Sequence, residues 1–234
     1  MSQQFTLQGI NVNVYFKPIK NMYLRVKAPD GRVEISAPRQ MGMRRIRAFT
    51  LTKLDWIKQR QAKLKAQLEE NEKHFIDGEL HQIWGQSYPL QNVLSARRRS
   101  IELEGDILQI HAPANADMDM KSGILEKWYR QQVRAEALPL IAQWEARMGL
   151  CVDRMYVRRM KSLWGSCNIK KRSIRLNTEL AKRDLASLEY LVVHEMTHLL
   201  EASHNQRFYA LMDSFLPNWK MIRKGLNDQR LDIY

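Results

Sequence analysis

Cysteine is nearly absent from this 234-residue chain, and the two that occur, Cys151 and Cys167, are too few to build a disulfide framework. A long apolar run is missing as well. The opening residues, Met1-Ser2-Gln3-Gln4-Phe5-Thr6-Leu7-Gln8, have neither the basic start nor the apolar stretch of a signal peptide, and no segment approaches the roughly 20 residues that span a bilayer. The expectation is a cytoplasmic protein with no membrane partner and with both cysteines as thiols. No internal repeat or low-complexity tract appears, so the chain reads as globular, with 44% hydrophobic residues to build a core. Acidic side chains are also in short supply, 25 against 38 Lys and Arg, for a net charge of +13. Residues 185–234 hold five basic and six acidic residues, so the whole excess lies upstream of them.

Patterning divides the chain into β-rich and helical stretches. Val12, Val14 and Phe16 alternate with polar residues, Tyr23 to Val26 continues the pattern, Asp30-Gly31 is a turn signal, and Val33 and Ile35 alternate again. From Met43 to Lys73 the period becomes helical, with Ile46, Phe49, Leu51, Leu54, Ile57, Leu64 and Leu68 on one side. Short strands are expected between Gly78 and Ile110, then a long helix over Met118 to Met148 that Pro139 kinks or splits. Cys151 to Asn177 reads as two strands joined through Trp164-Gly165-Ser166. The fold class that follows is α+β: an antiparallel N-terminal sheet with helices, then a catalytic part, with the division drawn at residues 1–115 and 116–234.

Within the last quarter, His194-Glu195-Met196-Thr197-His198 carries the chemistry. A helix turns about 100° per residue, so His194 and His198 project from one face and can share a metal ion, while Glu195 reaches a water without being a ligand. A helix continuing past His198 would put His204 on the wrong face, so the chain must break between them. Ser203-His204-Asn205-Gln206 fits a Ser-x-x-Gln capping box, which makes His204 the opening residue of a new helix. Three histidines leave a fourth position open, as catalytic zinc requires. Leu185, Leu188, Leu191, Val192, Met196, Leu199 and Leu200 make the helix mostly apolar, and two His and a Glu buried on it are costly without a metal. With the three histidines in place, Cys167 is read as a packed side chain. Zn²⁺ is the expected ion, and Ni²⁺, cobalt or iron also suit three imidazoles.

The spacing from His194 to His204 equals that of the metzincins, but Glu201 stands where their pattern has Gly. The residues match another family. His204, Asn205 and Phe208, then Leu216-Pro217-Asn218-Trp219, and upstream Leu163-Trp164-Gly165-Ser166-Cys167 with Leu176-Asn177, resemble the YgjP-like metal-dependent hydrolases, relatives of the SprT and WLM zinc peptidases. Leu24-Arg25-Val26, Asp30-Gly31-Arg32-Val33, Ala37-Pro38 and Trp56-Ile57 extend the likeness over most of the chain. The resemblance implies a zincin-like catalytic part with His194, His198 and His204 as metal ligands and Glu195 as the catalytic carboxylate.

Three readings of function follow. In the first, a zinc metallopeptidase uses Glu195 as general base, an extended peptide lies along Ser173 to Asn177 as an added strand, and Tyr209 or Arg207 stabilises the oxyanion. Arg158, Arg159, Lys161, Lys170, Lys171, Arg172 and Arg175 flank that strand without an acidic residue among them, which suits an anionic substrate. In the second, the chain is a metal-dependent phosphohydrolase of the pyrophosphatase type. Arg172 and Arg175 then neutralise the phosphates of a nucleoside triphosphate, and Arg172, Arg175 and Asn177 are the candidate substrate-binding residues for either substrate. In the third, the basic surface binds nucleic acid, with Trp84, Tyr156 and Trp164 available to stack on bases, and the zinc is structural. Nothing in the sequence sets an oligomeric state.

Overall fold

The computed structural model describes residues 2–27, 30–71, 74–161 and 163–228. The chain is α+β and forms two compact units that divide between Glu72 and Lys73.

The first unit is a four-stranded sheet with two helices. Strands β1 (Ser2–Leu7), β2 (Ile10–Lys17), β3 (Tyr23–Lys27) and β4 (Arg32–Pro38) lie in the order β1-β2-β4-β3. The outer pairings are antiparallel, but the central one, β2 with β4, is parallel, so the sheet is mixed rather than antiparallel throughout. Register puts Val12 beside Val33 and Val14 beside Ile35, and these four are fully buried. Ile46 and Ile57 complete that core. The helical stretch after Met43 is two helices, α1 (Met43–Thr52) and α2 (Leu54–Asn71), and residue 73 lies outside the described residues. The break falls where the buried Thr50 hydroxyl bonds back to the Ile46 carbonyl at 2.7 Å and Lys53 leaves helical geometry. Leu51, counted above with the apolar side, is 53% exposed.

The second unit holds the rest. Strands β5 (Leu80–Ile83), β6 (Gln86–Leu94), β7 (Ser100–Glu104) and β8 (Ile107–Ala112) form a sheet in the order β5-β6-β8-β7. Helix α3 (Met118–Met148) is unbroken, capped by the Asp117 carboxylate at its start and by Gly149 at φ 64° at its end. Pro139 sits on its exposed side and does not split it. Leu125, Tyr129, Val133, Ala137, Ile141 and Trp144 form a stripe at helical spacing, and they share one core with Ile83, Leu90, Leu108 and Ile110. That shared core places the strands of residues 80–112 in the second compact unit, whereas the sequence pattern drew its division at residue 115. Strands 80–112 bury their apolar face with α3.

A third sheet, of β9 (Arg154–Arg158), β10 (Gly165–Asn168) and β11 (Ser173–Asn177), has the order β10-β11-β9. Three strands replace the two expected between Cys151 and Asn177. A 3-10 turn, Thr178–Lys182, leads into α4 (Leu185–Thr197), followed by α5 (Gln206–Phe215) and α6 (Trp219–Asp228). The start of α4 is held from two sides. Asp184 caps it by accepting the Ser187 N–H at 2.7 Å, and the Trp84-Gly85 turn of the β5-β6 hairpin abuts Asp184. Both turn residues have positive φ, 48° and 81°, the backbone a two-residue hairpin needs and Gly supplies without strain. Among the described residues no helix is long and apolar enough to cross a membrane.

Candidate metal centre

Helix α4 delivers the first two histidines. Leu188, Leu191, Val192 and Met196 are buried at 4% exposure or less, and they set the rotation of the helix so that His194 and His198 share its opposite edge. His198 is the C-cap, so the helix ends there and the chain turns through Leu199 and Leu200. The next helix is capped two residues later than the capping-box reading placed it. Asn205, not Ser203, accepts the Phe208 N–H at 3.0 Å, which leaves His204 in the loop ahead of α5 and not within it. Asn is as good an N-cap as Ser, and this choice frees the His204 backbone to turn toward α4.

The three imidazoles converge. Their ring nitrogens lie within 4.8 Å of one another, and the Nε2 atoms of His194 and His204 are 3.1 Å apart. Tetrahedral ligation with metal–nitrogen bonds near 2.1 Å needs a nitrogen separation of roughly 3.4 Å, so the donors suit one ion. Burial, helped by the neighbouring His198 and His204, pushes His194 down to about 3, and burial also lowers His204. Neutral imidazoles are the form that ligates metal. His198 turns its Nδ1 toward the Glu201 carbonyl at 3.3 Å, which leaves Nε2 for the ion. His194 Nδ1 is buried without a hydrogen-bond partner among the described residues. Aromatic packing holds the rings instead. Phe208, fully buried, lies with its centroid 5.1, 4.7 and 4.7 Å from those of His194, His198 and His204.

Glu195 faces the third sheet. Its residue exposure is 4%, and burial raises its carboxyl to about 8. Among the described residues it has neither hydrogen bond nor ion pair. The strand alongside is β10, and a Cβ built on Gly165 would come within 2.5 Å of Glu195 Oε1. Only Gly lets the backbone pass there. Gly165→Ala is expected to leave metal content intact while displacing the carboxylate, and to lower turnover by up to about 100-fold. Metal analysis and steady-state kinetics on one preparation check it, and an unchanged rate would show that the approach is not functional.

The chain matches the YgjP-like metallopeptidase domain over residues 20–229. It belongs to the YgjP-like family. As a metallopeptidase domain of that family it is a metal-dependent hydrolase by kinship. No curated protein matches the sequence. Among solved structures, the metallopeptidase zymogen abylysin of Pyrococcus abyssi is similar at 18% identity and TM-score 0.36, covering 38% of this chain and 90% of that one. Jannalysin of Methanocaldococcus jannaschii, also a metallopeptidase zymogen, is similar at 17% identity and TM-score 0.35, with 40% and 89% covered.

Of the candidate substrate, oxyanion and stacking residues singled out in this YgjP-like chain, Tyr209 packs against a histidine ring and the others have no ring contact with the three histidines among the described residues. β11 is the central strand of its sheet, so Ser173 to Asn177 has both edges paired and offers none to a substrate. The free edge beside Glu195 belongs to β10. Asn177 is fully buried, and its side chain accepts the N–H groups of Glu179 and Met160 and donates to the carbonyls of Met160 and Leu163. It ties down the loop between β9 and β10 and has no group left for a ligand. Arg175 lies on the face of β11 opposite Ile174 and Leu176, which are core residues. Arg172 sits in the turn before β11 at φ 40°, its guanidinium donating to the Cys151 carbonyl at 2.6 Å. Arg207 is 71% exposed beside Glu201, while Tyr209 stacks 6.3 Å from His204. Trp84 and Trp164 are half-buried against the core, and Cys167 packs there too, its thiol raised to about 11 by burial and then by Glu195. Phe208 and Gly165 are the functional residues that spacing rules missed. Phe208 entered through the family likeness, with no sign that it meets all three rings, and a glycine before Ser-Cys gave no hint of what it approaches.

Proposed function

We infer that the chain is a zinc-dependent metallopeptidase with Glu195 as general base. One observation carries the reading: a buried carboxylate without a structural partner stands beside three converging imidazoles. Burying such a group costs several kcal/mol unless it is hydrogen-bonded or paired, and none of the described residues pairs with it. His194, His198 and His204 would hold Zn²⁺. When bound, the ion supplies Lewis acidity, polarising a carbonyl and acidifying a water. Glu195 takes a proton from the water that attacks the peptide carbonyl and delivers it to the departing amine nitrogen, which a carboxyl raised toward neutrality does well. The histidine rings, held by Phe208, keep their donor nitrogens fixed. The exposed edge of β10 runs past the carboxylate and offers an extended peptide a strand to pair with.

The test is turnover of a pooled peptide set and of nucleoside triphosphates by purified protein, before and after chelation and again after Zn²⁺ is restored. Peptide cleavage that disappears with the metal and returns with it is expected. Turnover of the triphosphates alone would overturn the peptidase reading in favour of phosphohydrolysis.

A further inference from the structure

Helix α6 brings a cation to this site that neither the motif nor the basic runs indicated. Trp219, at the start of α6, is buried, and its ring lies parallel to those of Tyr190 and Tyr209 at 6.4 and 5.6 Å. Those tyrosines in turn contact the metal-site rings, Tyr190 at 5.7 Å from His194 and Tyr209 at 6.3 Å from His204. One turn along α6, Arg223 places its guanidinium 5.7 Å from the Trp219 ring centroid. Lys220 also lies over Trp219, but Asp213 takes its ammonium at 3.0 Å and the Trp219 indole N–H at 2.8 Å. Arg223 has no acidic partner among the described residues, and it is exposed.

A guanidinium over an aromatic face is held in place while its in-plane N–H donors stay available, and those donors match a carboxylate. We propose that Arg223 is a specificity-determining residue that receives a carboxylate of the peptide bound at the histidine site. Acidic peptides are then the preferred substrates, the carboxylate coming from a side chain or from a free C-terminus. This rests on the peptidase reading above. An oxyanion-stabilising role differs from it in kinetics: that role would lower kcat on every peptide, whereas a specificity role raises KM for acidic ones.

The test uses the zinc-loaded full chain and a pooled peptide library in four versions, with Glu or Gln at the same fixed positions and with the C-terminus free or amidated. Wild type is expected to prefer a carboxylate-bearing version in kcat/KM by about tenfold, as for a charge-assisted hydrogen bond, and the pair that differs identifies which carboxylate is read. In Arg223→Gln that ratio should fall to near one through KM. An unchanged ratio, or an equal loss of kcat on all versions, overturns the proposal. Should wild type cleave none of them, the peptidase reading fails, and binding to Glu195→Gln protein decides Arg223 separately. Tighter binding of the carboxylate version that disappears in the double variant supports the proposal, and equal binding of all versions overturns it.

Discussion

Glu195→Gln is expected to keep one metal per chain and to lose about 10²- to 10⁴-fold in turnover, the usual contribution of a general base. The three imidazoles do not depend on the carboxylate for position, since Phe208 and the Glu201 carbonyl hold them, so metal content should not move. The same substitution should reveal a cost that the native site carries. Glu195 ionises at 4.5 when solvated and at about 8 in the metal-free fold, so between those values the unfolded chain has released a proton that the folded chain keeps. Stability of the metal-free wild type therefore falls as pH rises from about 4.5 and levels off above about 8, by roughly 5 kcal/mol in all. The Glu195→Gln protein has no such decline, and by pH 8 it should be the more stable of the two. His194 acts in the opposite sense in both proteins: its value of about 3 lies below 6.5, so stability is lost as pH falls from 6.5 toward 3. Urea melts of chelated protein across pH 4 to 9, alongside metal analysis and kinetics, check the whole set. A Glu195→Gln variant that turns over like wild type would remove Glu195 from the mechanism.

Phe208→Ala should be the most damaging single change outside the motif. The ring is fully buried under all three histidines, and truncating it leaves a cavity worth about 3–5 kcal/mol. The cavity opens where the imidazoles need support, so metal affinity should drop as well, by about 10- to 100-fold, the range seen when a group that orients a ligand is lost. Thermal melts of the chelated protein isolate the first effect and competition with a chromogenic chelator reads the second. Phe208→Leu, which keeps most of the volume, should recover much of both. Lost stability with unchanged metal affinity would mean that the rings are positioned by their backbones alone.

The shared face of His194 and His198 was legible in the sequence because helical periodicity converts a spacing of four directly into it. The long helix α3 was legible for a related reason: its stripe at every fourth residue runs unbroken from Leu125 to Ile141. What stayed hidden depends on pairing between distant segments. Alternation within Ser173 to Asn177 says that a strand forms, but its place in the middle of a sheet is set by β9 and β10 on either side. The parallel pairing of β2 with β4 was hidden in the same way, since β3 intervenes between them in sequence. Asn177 looked like a ligand-binding residue because buried asparagines and site asparagines carry the same side chain, and only its four partners tell them apart. The later break before α5 turned on one residue, because Ser203 and Asn205 are both good caps and local sequence does not rank them.

The His194 ring has carbon around it where a metal ligand commonly has an acceptor for its second N–H, and the three rings rest on a phenyl group whose far side belongs to the core. Their aim is thus a matter of volume more than of directed bonds. Met196, whose helix α4 carries two of the ligands, and Met212, which reaches the Thr197 hydroxyl at 3.4 Å, fill the interior between α4 and α5. A change in bulk at either would be transmitted to the donors as a small rotation. The affinity of the site becomes a gauge of how tightly two helices are packed, readable from outside the protein with nothing more than a coloured chelator.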